Sequence, residues 1–188
     1  MRVLHDGLET DDTAGDAIGS ALVGLCQPAV SHLTGDQTSG YLDATTGEPL
    51  QTGELLVMGG GSYRQRAIAW LEKTSRARVT DTSTPTDLRY SRSDGGVVFS
   101  TALSNISATH DVFLVQLTTT PRGALVLNAS GFGAEGTSAA SWYVINQLLP
   151  QLGGSVLGDG WYVVEWQDSS DAGKPDVTDT WTPIASGQ

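Results

Sequence analysis

The chain has 188 residues, of which 39% are hydrophobic, and its 21 Asp and Glu outnumber its 10 Lys and Arg, giving a formal net charge of −11 at pH 7. A chain of this length can bury one hydrophobic core, and so few cations exclude the phosphate-backbone affinity of a duplex nucleic-acid-binding protein. Lys73 and Lys174 are the only lysines, and an acidic, lysine-poor surface is typical of a halophilic protein, because concentrated salt screens self-repulsion.

No stretch of the sequence approaches the roughly 18 consecutive apolar residues of a membrane-spanning helix, so we expect no membrane span. The N-terminus turns acidic at Asp6, without the apolar segment of a secretory signal peptide. We therefore expect synthesis in a high-salt cytoplasm, followed by a final place in a virion or on a cell surface. The single cysteine, Cys26, stands among apolar residues, which predicts a buried thiol.

The chain begins with a predicted helix. Apolar residues recur at helical spacing between Thr13 and about Leu33, and Pro28 interrupts this pattern. Residues 34–52 are rich in Gly, Asp and Thr, which predicts a loop with one short strand around Tyr41.

A strand, a glycine turn and a helix follow this loop. Residues 54–58 form an apolar run of strand length, and the turn Gly59-Gly60-Gly61-Ser62 separates it from residues 63–75, which have helical spacing. With Arg64 and Arg66 behind it, the turn is a candidate anion site, although it lacks the Gly-Lys-Ser/Thr ending of a phosphate loop. A close crossing of two backbones, with Ser62 as the helix N-cap, explains the same residues without a ligand.

Antiparallel strands are predicted in the middle of the chain. An Asp-Gly-Gly turn predicts that residues 88–90 pair with residues 97–99. The link 118–122 is too short to hold a crossover helix between its two flanking apolar runs. Residues 111–117 and 123–128 are therefore predicted to form an antiparallel hairpin.

A helix over residues 137–152 and a strand over residues 161–166 complete the predicted fold. We predict an α/β fold with a single domain over residues 1–166, in which helices pack on a mixed sheet that contains the antiparallel hairpin. Residues 167–188 consist largely of Asp, Ser, Thr, Gly and Pro, which predicts a polar C-terminal arm.

A second glycine turn matches the G-x-G-x-x-G pattern, with Gly131, Gly133 and Gly136 between a predicted strand and a predicted helix. In dinucleotide-binding proteins such glycines let backbone amides approach a pyrophosphate, and an acid such as Glu165 on the next strand holds a ribose hydroxyl. Only 23 residues follow Glu165, however, and they cannot build the second half of a nucleotide-binding sheet. Glu135 would also repel a pyrophosphate, and the alternative is a helix start whose dipole this acid compensates.

Catalytic and metal sites are not predicted. His5, His32 and His110 are scattered without metal-ligand spacing, and no convergent set of catalytic side chains stands near the glycine turns. We therefore expect neither an enzyme nor a bound cofactor or metal. Asn105 begins a glycosylation sequon in a polar connection and is a candidate glycan site. Asn128 also begins a sequon, but it ends an apolar strand and is expected to be too buried for a glycan.

The order of elements between Glu54 and Glu165 resembles the α/β domain of archaeal surface-layer and related cell-surface proteins. The residues that carry the resemblance are the strand and turn from Leu55 to Gly60, the hairpin from Asp111 to Asn128, and the segment from Ala129 to Ala140. Gly61 departs from the family, which has Pro at that place. The resemblance implies a structural role, with no catalytic residues to carry over.

Two functions are compatible with these patterns. The first is a non-catalytic assembly protein of a halophilic system, either a surface-layer-like or a virion subunit, that forms a homo-oligomer or a multi-protein assembly with Trp181 and Pro183 in a subunit interface. The alternative is a nucleotide- or anion-binding domain that uses the turns Gly59–Ser62 and Gly131–Gly136. A binder requires an open pocket above both turns, whereas an assembly protein leaves them filled by protein.

Overall fold

The computed structural model describes residues 1–25, 30–34, 37–151, 159–170 and 172–188. This part of the chain contains ten strands and three longer helices. The strands are β1 (Arg2–Leu4), β2 (Ser31–Leu33), β3 (Leu55–Gly59), β4 (Val79–Asp81), β5 (Asp87–Arg92), β6 (Val97–Ala102), β7 (His110–Thr119), β8 (Leu125–Gly131), β9 (Gly160–Gln167) and β10 (Thr180–Gly187). The helices are α1 (Glu9–Val23), α2 (Arg66–Lys73) and α3 (Ala134–Tyr143), which continues through a π-helical turn, Val144–Leu148, into the short α4 (Leu149–Gln151).

Seven of these strands form a mixed sheet in the order β10-β9-β7-β8-β3-β1-β2. Strands β2, β1, β3 and β8 run parallel, whereas β7 is antiparallel to both β8 and β9, and β10 is antiparallel to β9. The predicted α/β fold with a mixed sheet is therefore confirmed. The predicted hairpin is confirmed as well, because Leu117 lies opposite Leu127 in the β7–β8 pair.

The two faces of this sheet are covered by different elements. Helices α1 and α3 pack on one face, where Ile18 and Ala140 share a buried cluster with Val57 and Phe113. Helix α2 covers part of the other face, where Ile68 packs with residues of β1 and β3. Burial on both faces explains why β3, residues 112–115 of β7 and residues 125–127 of β8 are apolar without alternation.

A separate three-stranded sheet, in the order β4-β5-β6, covers the rest of the second face. The predicted pairing across the Asp-Gly-Gly turn is confirmed, since Tyr90 lies opposite Phe99 in the β5–β6 pair. Tyr90 is fully buried and packs with Val112 and Val163 of the large sheet. The sequence predicted these strands but not that they form a second layer.

The prediction for the N-terminal region was wrong in its boundaries. Helix α1 begins at Glu9 and ends at Val23, and residues 31–33 are not helical but form β2, which pairs in parallel with β1. Both strands have only three residues, which is too short for a periodic pattern. Cys26 and Pro28, on which further predictions rested, lie outside the described residues. The expected strand around Tyr41 is absent: the described residues there form only isolated bridges.

The starts of two helices also differ from prediction. Ser62 is not the N-cap of α2, because a backbone turn in which Gln65 donates to the Gly61 carbonyl comes first, and Gln65 occupies the N-cap position. Helix α3 starts at Ala134, three residues earlier than predicted, directly after the extended residue Gly133. The second glycine turn therefore leads into its helix without any intervening loop.

The C-terminal segment predicted as a polar arm adds a strand to the sheet. β10 pairs with β9, and Trp181 lies opposite Trp166. No residue of β10 is fully buried, although Trp181 packs on one face of the sheet and Ile184 on the other, so the strand retains the polar composition that is typical of a tail. Pro183 is tolerated here because an edge strand has backbone N–H groups that no neighbour needs, and a bulge follows it before Ala185.

Candidate functional site

Asp111 fills the second glycine turn. Its carboxylate accepts hydrogen bonds from the backbone amides of Gly133 (2.7 Å), Phe132 (3.3 Å) and Val112 (2.6 Å). A Cβ atom at Gly136 would lie 2.1 Å from Asp111 Oδ2, so the absence of a side chain at Gly136 makes room for this carboxylate. The amides that a dinucleotide-binding fold would offer to a pyrophosphate therefore hold an acid of the same chain.

The Asp111 carboxyl is fully buried. Burial raises its pKa to about 6, although hydrogen bonds from the amides of Gly133, Val112 and Phe132 act in the opposite direction. A second anion at this turn would have to displace a buried charge or be repelled by it. Gly131 serves the same close packing, because a Cβ atom there would lie 2.3 Å from the backbone of Gly136.

Asp11 fills the first glycine turn in a similar way. Gly60 has φ +85°, its amide donates to the Ala129 carbonyl (3.0 Å), and a Cβ atom there would lie 2.0 Å from Asp11 Oδ2. Gly59 allows the first turn of α1 to approach, since its Cβ atom would lie 2.3 Å from the Asp11 carbonyl oxygen. The close crossing of two backbones that the sequence offered as an alternative is thus the arrangement found at this turn.

Asp11 differs from Asp111 in that one of its carboxylate oxygens has no hydrogen-bond donor among the described residues. The residue is 2% exposed, and its Oδ2 accepts no hydrogen bond within the described part of the chain. Burial raises the pKa of Asp11 to about 6, with the neighbouring Asp6 carboxyl acting in the same direction. The Asp11 carboxyl therefore retains its proton up to mildly acidic pH.

A cavity of about 310 Å³ adjoins both glycine turns, between the large sheet and the small one. Gly61 and Ser62 of the first turn line it, together with Gly131 and Phe132 of the second. Its ionisable side chains include Glu72, whose pKa is raised by burial, and Asp81, whereas no Lys or Arg is among the described residues that line it. A cavity that carries carboxylates and lacks cations repels phosphate groups.

Glu165, the predicted ribose ligand, is already paired. Its Oε1 atom lies 2.9 Å from Nε2 of His110, whose Nδ1 donates to the Asn105 carbonyl (2.7 Å). Burial lowers the pKa of His110, but these two bonds outweigh it, so that the pKa lies above its usual value. Asn105 itself is exposed, as a glycan acceptor must be, and its side-chain amide donates to Thr101 Oγ1 (2.9 Å).

Trp181 and Pro183, the predicted interface residues, lie on β10. The indole of Trp181 stacks on Trp142 of α3 at a centroid distance of 4.7 Å and also contacts Phe113 and Trp166. The connection that leads into β10 is held by Asp179, which accepts from Trp166 Nε1 (2.8 Å). Trp181 therefore attaches β10 to the core of its own chain.

Two histidines and one aspartate meet at the β1–β2 edge of the large sheet, at the end away from β10. Asp16 Oδ1 lies 2.7 Å from His5 Nε2 and 2.6 Å from His32 Nδ1. One ligand atom from each of the three residues lies within 4.8 Å of the other two. Sequence reasoning missed this cluster, because His32 was assigned to a helix and the pairing of β1 with β2 has no signature in the sequence.

Comparisons with known proteins add no family. No family model matches the chain, and neither a curated protein nor a solved structure shows significant similarity to it. Among the helices of the described residues, none is both long enough and apolar enough to span a membrane.

Proposed function

We propose that this protein is a non-catalytic assembly protein of a salt-rich system, a surface-layer-like or virion subunit, that associates with copies of itself. The observation that carries the proposal is that the two sheets have outer strands that lie next to each other, on the same side of the molecule. β6 is the outer strand of the small sheet, β10 is the outer strand of the large sheet, and the two are in contact. Outer strands of a sheet are surfaces on which another chain can pack.

This side of the molecule, which we call the β6–β10 side, carries apolar side chains. Leu103, which directly follows β6, is 52% exposed, and Val97, the first residue of β6, is 55% exposed on the face of the small sheet that it shares with Ser91. Phe99 and Ile184 are only partly buried in the cluster beneath the small sheet. Pro183 lacks an N–H and a bulge follows it, which blocks continuous strand pairing along β10. We therefore expect subunits to associate through these apolar side chains.

A cavity adjoins both glycine turns, as the binding alternative requires, but the acids in and beside the turns argue against a nucleotide or another anion as its occupant. Asp111 and Asp11 fill the two turns, and the cavity beside them carries Glu72 and Asp81. A phosphate would meet carboxylates in all these places. The resemblance to archaeal surface-layer domains agrees with a structural role, and a net charge of −11 implies that subunits approach one another only where salt screens their repulsion.

The mass of the full chain in solution, measured by multi-angle light scattering from low to multimolar KCl, tests this proposal. We expect a species of several subunits at high KCl, and we expect Leu103→Lys to reduce its mass. Val177→Lys is the matched control, because Val177 is 80% exposed in the connection between β9 and β10 and the substitution adds the same charge. A monomer at every salt concentration refutes the proposal, and equal effects of the two substitutions refute the assignment of the surface.

A further inference from the structure

We infer that His5, Asp16 and His32 bind a divalent transition-metal ion, with Zn²⁺ as the best match to the donor set. Two imidazole nitrogens and one carboxylate oxygen are a common set of protein ligands for Zn²⁺, which then keeps a fourth position for water. Ca²⁺ and Mg²⁺ prefer oxygen ligands, so a site with two imidazole nitrogens is a poor match for either ion. This inference is independent of subunit assembly, and the cluster lies at the β1–β2 end of the sheet, away from β10.

The fold brings the three residues together through strand pairing and helix packing. His5 follows β1 two residues after Val3, so that both side chains point to the face covered by α1. The parallel register puts His32 directly beside Val3 on the neighbouring strand. Val3 thus has one histidine along its own strand and one across the strand pair, both on the same face.

Helix α1 supplies the carboxylate because it lies unusually close to β1. Gly15 and Gly19 face Val3, and a Cβ atom at Gly19 would lie only 2.6 Å from a Val3 methyl group. Asp16 is next to Gly15, so this close approach brings its carboxylate down to the level of the two imidazole rings. The ligands therefore come from three elements whose mutual positions are fixed by a buried valine and two glycines.

The distances require little movement for a metal to enter. In a tetrahedral site with bonds of about 2.0–2.1 Å, ligand atoms lie about 3.4 Å apart. Asp16 Oδ1 is now 2.7 Å from His5 Nε2 and 2.6 Å from His32 Nδ1, and all three ligand atoms fall within 4.8 Å. Each Asp16–His distance must lengthen by about 0.7–0.8 Å to reach this spacing, which small side-chain rotations achieve.

A second carboxylate stands behind His5, as is usual for metal-binding histidines. Asp12 Oδ2 lies 3.9 Å from His5 Nδ1, and Asp12 is itself held by the amide of Asp6, which donates to Oδ1 (2.9 Å). If Nε2 binds a metal, the proton resides on Nδ1, and a shift of less than about 1 Å would bring it within hydrogen-bond distance of this carboxylate, which would then orient the ring. Asp12 is therefore a positioning residue rather than a ligand.

Solvent reaches the cluster from one side. The His32 side chain is 46% exposed and Asp16 is half-exposed, whereas His5 and Asp12 are more deeply placed. An ion can enter from the exposed side, and a water can complete its coordination there. The bound ion would join β1, β2 and α1, so metal binding should stabilise the folded chain.

Calorimetric titration of the chelator-treated full chain with Zn²⁺, in KCl concentrated enough to screen surface acids, tests this inference. We expect one ion per chain, and we expect both His32→Ala and Asp16→Asn to weaken binding at least tenfold. His110→Ala is the matched control, because it removes the third histidine, which lies at Glu165 instead, and should leave Zn²⁺ affinity unchanged. Co²⁺ in place of Zn²⁺ should give the visible absorption of a tetrahedral site, which His32→Ala removes.

Three results would overturn the inference: no Zn²⁺ binding by the wild-type chain, an affinity that His32→Ala does not change, or Ca²⁺ binding as tightly as Zn²⁺. The last result would assign the ion to carboxylates alone. Circular dichroism of each variant establishes that it is folded, and His32→Gln provides a polar replacement of similar size if His32→Ala does not fold.

Discussion

Asp111 and Asp11 are two carboxyls that the folded chain buries beside glycines. Both have a pKa of about 6, although only Asp111 receives backbone hydrogen bonds. The sequence predicted the glycine turns themselves, since glycine between a strand and a helix is a local signal. It could not predict their occupants, because Asp111 reaches the second turn from the neighbouring strand β7 and Asp11 reaches the first from α1.

These two pKa values predict how stability depends on pH. Between the ordinary value of 3.8 and about 6, the folded chain retains protons on Asp11 and Asp111 that the unfolded chain has released. The stabilising contribution of the protonated carboxyls is therefore present below about pH 4, and it is lost as pH rises through about 6. We expect the free energy of unfolding, measured by urea denaturation in constant high KCl, to fall across this interval.

Asp11→Asn tests the origin of this pH dependence. The substitution removes a buried charge whose Oδ2 has no donor among the described residues, and it supplies an amide that can donate to Asp6, so we expect roughly 1–3 kcal/mol of added stability at pH 7.5. The slope between pH 4 and 6 should decrease. Glu9→Gln removes the same charge from an exposed position in the same helical turn and is the control. Destabilisation at pH 7.5 with an unchanged slope would contradict this account of Asp11.

Local sequence patterns predicted the long strands and the regular helices, but not the elements that depend on pairing with a distant strand. Strands β3, β7, β8 and β9 were predicted because their apolar runs are long, and α2 and α3 because their apolar spacing is regular. Strand β1 is defined by its pairing with β2 and β3, β2 by its pairing with β1, and β10 by its pairing with β9. The His5–Asp16–His32 cluster depends on that β1–β2 pairing, which is why the sequence predicted no metal site.

Gly136→Ala is a test at the level of the second glycine turn. Alanine usually stabilises a helix by up to about 1 kcal/mol over glycine, but here its Cβ atom would lie 2.1 Å from Asp111 Oδ2. We expect a loss of about 3 kcal/mol, because the carboxylate must leave the amides that hold it. Gly61→Ala is the control, since its nearest neighbour would be a Tyr63 ring carbon at 3.4 Å. Equal unfolding midpoints for the two variants in urea would disprove the role assigned to Gly136.

The molecule as a whole combines a core covered on both faces with a strongly acidic surface. Aromatic rings from β7, β9, β10 and α3 meet around Trp181 and attach the edge strand to the rest of the sheet. Composition alone predicted the acidic surface and the single core. The separate three-stranded sheet could not be predicted, because whether two sets of strands join one sheet or stack as two depends on contacts between distant residues.

Salt should therefore stabilise the isolated fold, whatever its state of association. The 21 acidic residues repel one another in dilute buffer, and near-molar KCl limits that repulsion to about 3 Å. We expect the thermal unfolding midpoint of Leu103→Lys, the variant designed to weaken association, to rise steadily with KCl concentration at a protein concentration where light scattering finds it monomeric. Sucrose of equal osmolality is the control for solvent exclusion. A midpoint that rises equally in sucrose and KCl would contradict charge screening as the cause.

The parallel contact between β3 and β8 closes a much longer loop of chain than the β7–β8 hairpin does, so we expect the two contacts to form at different times during folding. The parallel contact places Leu55 beside Leu125, whereas the β7–β8 hairpin closes over a short turn. Closing a short loop is fast and closing a long one is slow, so the hairpin can form well before β3 docks against it. During that delay β8 exposes the edge that β3 later covers. We therefore expect a refolding chain to be prone to aggregation at β8, a strand that lies in the middle of the finished sheet.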